Sequence, residues 1–347
     1  MYQTEYGWKA AIRDAVTCVE SKTDPKYFWG KSYEERKKHS QWINNEIRKI
    51  FPNNLSKHCW FGFCGPWIED IWEFMEKEDF KIFGPFIPLF IPWTRMWKIK
   101  NIKIYLDWRT RIFNLLKKDY FYITICTNSH GIEGRDERKK VIPDNLLIIA
   151  GGGKGHIPTL IFMRESNPAN FPINNTYEYD LMFAGKLTHR VRDKMVKFYS
   201  KKLRSKFIFH KKYINWRIEY NKAKFILAPR GFGRNSFRLG EVLQSGHVPI
   251  YIYNDIIWLP YYDSINWSSF SIVTHYSRLS QTLDRIKNTP PLEIARMRKR
   301  IIELYNSHFT VNATFNHIRR FLLGGFLESD LRCAKYSGDR GYVKSRM

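Results

Sequence analysis

The sequence predicts an α/β chain made of two halves, each containing a parallel sheet, with a helical N-terminal extension and C-terminal helices. Runs of β-branched and aromatic residues alternate with segments of helical periodicity in both halves. Parallel strands need crossover connections, so this alternation favours parallel sheets. A length of 347 residues is also more than one small core requires.

A polar stretch that contains prolines and asparagines separates the two series of elements. It predicts an N-terminal domain with its extension over 1–165, a linker over 166–179 and a second domain over 180–310. A C-terminal helix and tail follow over 311–347.

Each element is predicted from its local pattern. In the first half we expect helices at 32–51, 66–80 and 104–119, and strands within 81–91, at 120–127 and at 145–151. In the second half we expect strands at 180–185, 206–210, 225–228 and 248–253. Helices are expected there at 191–203 and 236–245, with a largely helical tail at 292–323.

The chain is strongly basic, with 58 Lys and Arg against 33 Asp and Glu and a formal net charge of +25. Such a charge attracts nucleic acid, acidic glycans, anionic membrane surfaces or phosphorylated small molecules without choosing among them. The basic residues are spread along the chain, and no zinc-finger or other nucleic-acid-binding signature occurs. We therefore expect no nucleic-acid partner, whereas peripheral membrane contact stays open.

The five cysteines show no regular spacing, which predicts thiols rather than a disulfide framework or a zinc site. They are Cys18, Cys59, Cys64, Cys126 and Cys333. The first twenty residues hold no apolar run, and the apolar stretch 82–93 contains three prolines. The expectation is a chain without signal peptide or anchor, cytoplasmic or otherwise soluble, with the Golgi lumen as the alternative if the chain is incomplete.

One strand-to-helix turn has the chemistry of a phosphate site. The strand 225–228 runs into the loop PRGFGRN, and a helix follows. Gly231 and Gly233 let the backbone approach a ligand closely, and the helix start offers unpaired N–H groups. Arg230, Arg234 and Arg238 add positive charge suited to phosphate oxygens.

The helix itself suggests further roles. Asn235 or Ser236 is a candidate N-cap, and Gly246 stands where a C-terminal residue with positive φ is needed. Glu241 follows Arg238 by three residues, so both lie on one helix face. Glu241 can accept hydrogen bonds from ribose hydroxyls or pair with Arg238. The run GGGKGH at 151–156 does not match a phosphate-binding P-loop and is interpreted as an irregular turn.

The segments FILAPRGFGRNSFRLGEVLQSGHVPIYI and LPYYDSINWSSFSI together resemble the exostosin domain, glycosyltransferase family 47. They contain the P-x-G loop, the Ser-x-Arg-x-x-Glu helix, the Val-Pro strand, a Pro-aromatic-x-Asp motif and a Trp. Upstream, DLMFAGKLTHRVRDKMV resembles the family's F-x-G strand and Arg-bearing helix. The resemblance is sharp over 180–286 and looser over 60–161.

This resemblance implies a GT-B fold, with two Rossmann-like domains facing a cleft and the donor in the C-terminal one. It implies inverting transfer from a UDP-sugar to an oligosaccharide or glycan acceptor, without a metal or other cofactor. The sequence contains no Asp-x-Asp motif of the kind that metal-dependent transferases use. The implied donor residues are Arg192, Arg230, Gly231, Ser236, Arg238 and Glu241.

An inverting enzyme needs one base for the acceptor hydroxyl, expected in the N-terminal half. The candidates are Glu69 in GPWIED and three residues of NSHGIEGRDE, namely His130, Glu133 and Asp136. Asp263 and Trp267 match family positions and are interpreted as a loop cap and a core residue.

Two rival readings remain. One is a non-catalytic protein, either an inactive exostosin relative or a basic protein that binds glycan or nucleic acid. The other is a different GT-B enzyme, such as a fucosyltransferase that uses GDP-fucose.

Overall fold

The computed structural model describes residues 31–55, 59, 64–99, 101–133, 142–143, 145–161, 167–168, 176–211, 215–262 and 264–322. They fall into two compact units. The N-unit comprises the described residues up to Thr159 and those from Phe315 onward. The C-unit comprises the described residues from Leu160 to Thr314.

The N-unit contains a four-stranded parallel sheet with the order β1-β2-β3-β4. Its strands are β1 (Ile87–Pro88), β2 (Tyr122–Cys126), β3 (Leu146–Ala150) and β4 (Ile157–Pro158). Its helices are α1 (Tyr33–Arg48), α2 (Ile68–Phe74), α3 (Trp93–Trp97) and α4 (Ile102–Asn114), with 3-10 turns at Met75–Lys77 and Phe80–Phe83.

Helix α1 begins at a capping box. The Ser32 hydroxyl accepts from the Glu35 N–H at 3.2 Å, and the Glu35 carboxylate accepts from the Ser32 N–H at 2.7 Å. Both groups would otherwise lack partners at the start of the helix. The helix predicted from residue 32 is confirmed, and the capping box explains why it begins there.

Strand β1 is much shorter than the predicted run because prolines interrupt the ladder. The Asn44 amide of α1 completes the backbone hydrogen bonding instead. Its Nδ2 donates to the Pro88 carbonyl at 2.9 Å, and its Oδ1 accepts from the Phe90 N–H at 3.0 Å. A buried side chain therefore substitutes for a neighbouring strand.

The C-unit contains a five-stranded parallel sheet with the order β6-β5-β7-β8-β9. Its strands are β5 (Tyr179–Ala184), β6 (Phe207–His210), β7 (Ala223–Pro229), β8 (Pro249–Tyr253) and β9 (Ile272–His275). Its helices are α5 (Arg190–Leu203), α6 (Trp216–Glu219), α7 (Phe237–Gln244), α8 (Leu279–Asn288) and α9 (Pro291–His308). Helix α10 (Val311–Leu322) follows, and its residues from Phe315 belong to the N-unit.

This strand order makes the C-unit a doubly wound sheet. The first strand, β5, has β6 on one side and β7 on the other, so the connections run outward in both directions. The carboxyl ends of β5 and β7 therefore form the topological switch point, where open α/β sheets bind their ligands.

The turn from α7 into β8 confirms the predicted glycine. Gly246 has φ of +68°, a conformation that favours glycine. The N–H groups of Gly246 and His247 donate to Leu243 and Val242 at 3.1 Å each, and close the helix.

The predicted α/β class, with a parallel sheet in each half, is confirmed. Strand β9 and helix α8 were not predicted.

The expectation that all cysteines are thiols is wrong for Cys59 and Cys64, which form a disulfide with a Cα–Cα distance of 4.0 Å. Cys126 is a buried free thiol on β2, and the remaining two cysteines lie outside the described residues. Among the described residues, no helix combines the length and the apolar character needed to cross a membrane.

Candidate functional site

The loop from Arg230 to Asn235 leaves the carboxyl end of β7 and leads into α7. The Gly231 N–H donates to the Asn235 carbonyl at 3.2 Å, which closes the loop on itself. A Cβ on Gly231 would lie 3.3 Å from Arg192 Nη2 and 3.3 Å from the Asn235 carbonyl oxygen. Glycine therefore allows the close approach of these groups at the switch point.

Arg192 of α5 ties the two switch-point strands together. Its guanidinium donates to the Arg230 carbonyl at 2.8 Å, to the Pro229 carbonyl at 3.3 Å and to the Lys186 carbonyl at 2.9 Å. It also lies over the Phe183 ring at 5.5 Å. Burial, with the nearby charges of Arg238 and Arg230, lowers the pKa of Arg192 to about 9. The side chain is buried and is not a solvated part of the helix surface.

Within this glycine loop, Arg230 and Arg234 lie on either side of the two glycines. Both arginines pair with Asp255, which follows β8. Arg234 Nε donates to Asp255 Oδ2 at 2.7 Å, and Arg230 Nη1 lies 3.6 Å from Asp255 Oδ1. Arg230 Nη1 also donates to Asn254 Oδ1 at 2.6 Å. Both arginines are buried, with whole-residue exposures of 5% and 6%.

Ser236 occupies the N-cap position of α7, but its side chain does not cap the helix. Its hydroxyl donates to the Pro229 carbonyl at 3.1 Å instead. The Ser236 side chain therefore does not cap α7, and the positive end of the helix dipole favours an anion here.

Arg238 and Glu241 form the predicted pair on one face of α7. Arg238 Nη1 lies 2.6 Å from Glu241 Oε2, and the two side chains are 16% and 14% exposed. Arg238 Nη1 also donates to the Tyr220 hydroxyl. Burial alone would lower the pKa of Arg238, but the Glu241 charge and the Tyr220 contact raise it. The Arg238 guanidinium is therefore charged, and both side chains keep a small exposed fraction.

Electrostatically, the switch point favours an anion. The charged side chains in these contacts are four arginines, at 192, 230, 234 and 238, and two carboxylates, at 241 and 255. The start of α7 adds the positive end of a helix dipole. Such an arrangement can stabilise a bound diphosphate or the negative charge that develops on a leaving group.

Glu69, a base candidate in the N-unit, is buried on α2 and saturated with hydrogen bonds. Its carboxylate accepts from the N–H and hydroxyl groups of Thr94 at 2.9 and 2.7 Å, and from those of Thr127 at 2.7 and 3.1 Å. Burial raises the pKa of Glu69 to about 7, although these hydrogen bonds oppose the shift. The side chain links the segments that follow β1 and β2.

His130 and Glu133 lie on the loop after β2, at the carboxyl edge of the N-unit sheet. His130 is mostly buried, with its ring centroid 5.3 Å from that of Trp97. Glu133 is half-buried as a residue, its Oε2 is shielded from solvent, and its backbone carbonyl accepts from Arg109. The fourth candidate, Asp136, lies outside the described residues.

The glycine run at 151–156 is an irregular turn between β3 and β4, as predicted. It packs closely against the loop after β2. A Cβ on Gly152 would lie 2.1 Å from the Asn128 carbonyl oxygen, and one on Gly131 would lie 2.8 Å from Lys154 Cβ. The glycines therefore allow two loops at the same sheet edge to touch.

The structure thus gathers the six predicted donor residues at the carboxyl end of β7 and along α7. It buries two base candidates and leaves Glu133 partly exposed. Sequence reasoning missed Asn254, Asp255 and Tyr220. The first two could have been found from their position, because polar residues directly after a parallel strand lie at its binding edge.

Trp267 is a core residue as predicted, with its Nε1 donating to the Pro260 carbonyl at 2.9 Å. Asp263 lies outside the described residues.

Comparisons with known proteins found a family match whose range includes this region. Residues 158–289 match the family model described as the exostosin GT47 domain. A probable glycosyltransferase of Arabidopsis thaliana is 31% identical over 91 residues, which is 26% of this chain and 17% of that protein. Exostosin-1 of Drosophila melanogaster is 32% identical over 103 residues, 28% of this chain and 13% of its own length. The exostosin-1 homolog of Caenorhabditis elegans is 28% identical over 111 residues, 30% of this chain and 29% of that protein.

Among solved structures, TarM aligns with a TM-score of 0.37 at 10% identity, over 62% of this chain and 58% of TarM. The GtfA/B complex aligns with a TM-score of 0.33 at 9% identity, over 64% of this chain and 48% of the matched chain. Because these similarities are weak, the fold assignment rests on the two sheets themselves. The chain spans less than a third of the length of the curated relatives named above. The resemblance noted in the sequence is nevertheless confirmed, because residues 158–289 match the exostosin GT47 domain.

Proposed function

We propose that this chain is an inverting glycosyltransferase that moves a sugar from a UDP-sugar to a glycan hydroxyl without a metal ion. The observation that carries the proposal is the switch point of the C-unit, inside the GT47 match. There the positive end of α7 lies beside four arginines opposed by two carboxylates.

The donor would bind with its diphosphate at the loop 230–235 and the start of α7. Ser236 is half-buried there, and its O–H group donates a hydrogen bond to the Pro229 carbonyl. The lone pairs of the hydroxyl oxygen remain able to accept a hydrogen bond from the donor. Glu241 lies one turn further along α7 and would accept hydrogen bonds from the ribose hydroxyls. The positive charge of the arginines would take the place of a divalent ion.

In the proposed step, the acceptor oxygen attacks the anomeric carbon as the bond from that carbon to the diphosphate breaks. The base takes the acceptor proton, and UDP leaves with the bonding electrons. Negative charge grows on the diphosphate during this step. The helix end and the arginines stabilise that charge because they are already oriented before the reaction.

The base is proposed from the N-unit candidates, as the exostosin resemblance implies. Glu69 is the least suited of the described candidates, because it is 3% exposed and its oxygens already accept four hydrogen bonds. Glu133 is half-buried as a residue, although its Oε2 is shielded from solvent, and it is the least buried of the described candidates for proton transfer from a bound sugar. Glu133→Gln should therefore lower kcat far more than Glu69→Gln does.

The test is UDP release from a panel of UDP-sugars by the purified chain, with and without EDTA, alongside calorimetric titration with UDP and GDP. The proposal predicts release from one UDP-sugar at a rate that EDTA does not change, and UDP binding at least tenfold tighter than GDP binding. UDP binding without turnover on any donor and acceptor would support the inactive exostosin relative. Preference for GDP, or the absence of nucleotide binding, would overturn the proposed donor.

A further inference from the structure

The glycine loop is held at both ends by one carboxylate from outside the loop. Arg230 begins the loop and Arg234 follows its second glycine, and both guanidinium groups reach Asp255. The 2.7 Å contact to Arg234 is a charge-assisted hydrogen bond, and the 3.6 Å contact to Arg230 is an ion pair. Asp255 therefore spans a loop that has no regular secondary structure of its own.

A second set of contacts fixes the position from which Asp255 acts. Asn254 precedes it and accepts from Arg230 Nη1 at 2.6 Å through its side chain. The Asn254 carbonyl lies 3.0 Å from His275 Nε2 at the end of β9. The Tyr251 hydroxyl of β8 donates to the Arg234 carbonyl at 2.9 Å. The loop is thus anchored to the ends of two neighbouring strands.

The two arginines are buried, whereas the residue between the two loop glycines is not. Phe232 is 39% exposed, and its carbonyl accepts from Arg230 Nη2 at 3.3 Å. The charged groups thus point into the protein and hold the loop in one shape, in which Phe232 is the exposed residue among 230–235. Buried charges are retained only when they are paired, so the pairing partner decides where these arginines lie.

We infer that Asp255 is a positioning residue, which fixes the glycine loop in the conformation that presents its backbone and the start of α7 to the donor diphosphate. Its effect on the loop stands by itself, and its effect on the donor rests on the proposed function. The inference assigns Arg230 and Arg234 to shaping the loop, so the positive charge that they contribute to the proposed donor site acts at a distance and not through direct contact with phosphate.

The two roles predict opposite effects on UDP affinity. If the arginines bind phosphate directly and Asp255 competes with the ligand, Asp255→Asn frees positive charge and tightens UDP binding. If Asp255 positions the loop, the same substitution weakens UDP binding about tenfold, because ordering the loop then opposes binding. Asp255→Glu keeps the charge and should recover part of the affinity.

The loop itself is tested without any ligand, by chymotrypsin cleavage after Phe232 followed by mass spectrometry. Asp255→Asn should raise the cleavage rate at this position about tenfold, since a charge-assisted contact to the loop is weakened. The control is Asp193→Asn, which removes an exposed carboxylate that pairs with Lys197 at 2.9 Å on α5. The control should leave the Phe232 cleavage rate unchanged.

If Asp255→Asn fails to fold, Asn254→Ala provides the milder variant, because it removes only the amide contact to Arg230. It should raise the cleavage rate after Phe232 severalfold and weaken UDP binding in proportion. An unchanged cleavage rate in the folded variant, or tighter UDP binding, would overturn the inference. If the wild type binds no UDP but Asp255→Asn still raises the cleavage rate after Phe232, the role of Asp255 in holding the loop is retained and the proposed donor is rejected.

Discussion

Replacing Glu241 with Gln separates two roles of this residue, namely pairing with Arg238 and accepting hydrogen bonds from the donor ribose. Its carboxylate pairs with Arg238 at 2.6 Å, and the Glu241 and Arg238 side chains are only 14% and 16% exposed. Exposed pairs contribute about 0.5 kcal/mol, and breaking a fully buried pair costs about 3–5 kcal/mol. The neutral amide can still accept a hydrogen bond, and Tyr220 remains a partner of Arg238. We therefore expect a loss of about 2 kcal/mol in the free energy of unfolding, or about 6 °C in Tm.

If Glu241 also holds the donor ribose, the substitution removes a charged hydrogen bond to the ligand. Such a bond contributes about 2 kcal/mol, so the Kd for UDP should rise about thirtyfold. Calorimetric titration measures the Kd at a temperature where both proteins are folded. The matched control is Glu303→Gln, because Glu303 pairs with Arg300 at 3.0 Å with the same three-residue spacing on α9. It should leave the Kd for UDP unchanged.

The reasoning would be refuted if Glu241→Gln lowered Tm by several degrees while its Kd for UDP stayed within twofold of the wild type. Glu241 would then serve only as the partner of Arg238, and the donor would bind elsewhere.

Three further predictions concern stability. The pKa of Glu69 is raised to about 7, so the folded state binds more protons than the unfolded state between about pH 4.5 and 7. The free energy of unfolding of the wild type relative to Glu69→Gln should therefore fall as the pH rises through this window; a constant difference would contradict the burial argument. The pKa of His156 is lowered to about 4 by burial, so the wild type should lose stability relative to His156→Asn as the pH falls from about 6.5 to 4. Parallel pH profiles of unfolding for these two proteins would contradict that prediction. Gly152→Ala should cost at least about 2 kcal/mol, because its Cβ would lie 2.1 Å from the Asn128 carbonyl oxygen; an unchanged Tm would show that the loop after β2 can move away.

Local sequence signals account for much of the fold and for the position of the candidate site. The strand, the glycine loop and the start of α7 are adjacent in the chain, so glycine spacing and helical periodicity predict them together. The Arg238 and Glu241 pair follows from the same periodicity. In each case the partners lie within one helical turn or one loop.

Contacts between distant residues could not be predicted in this way. Arg234 pairs with Asp255, which lies 21 residues further along, and Asn44 completes β1 from 44 residues away. The role of Ser236 also depends on distance, because its hydroxyl donates to the end of β7 rather than to its own helix. Arg192 is buried because α5 packs on the sheet, and its position in the sequence, between Arg190 and Lys194, gives no sign of that burial.

The central claim is that a nucleotide diphosphate binds at the switch point of the C-unit. Amide hydrogen–deuterium exchange of the wild-type chain with and without saturating UDP tests it most directly. The claim predicts slower exchange in the loop 230–235 and the first turn of α7, with no comparable change at the far end of that helix. UDP-dependent protection confined to other segments, or unchanged exchange in this loop with UDP bound, would contradict it.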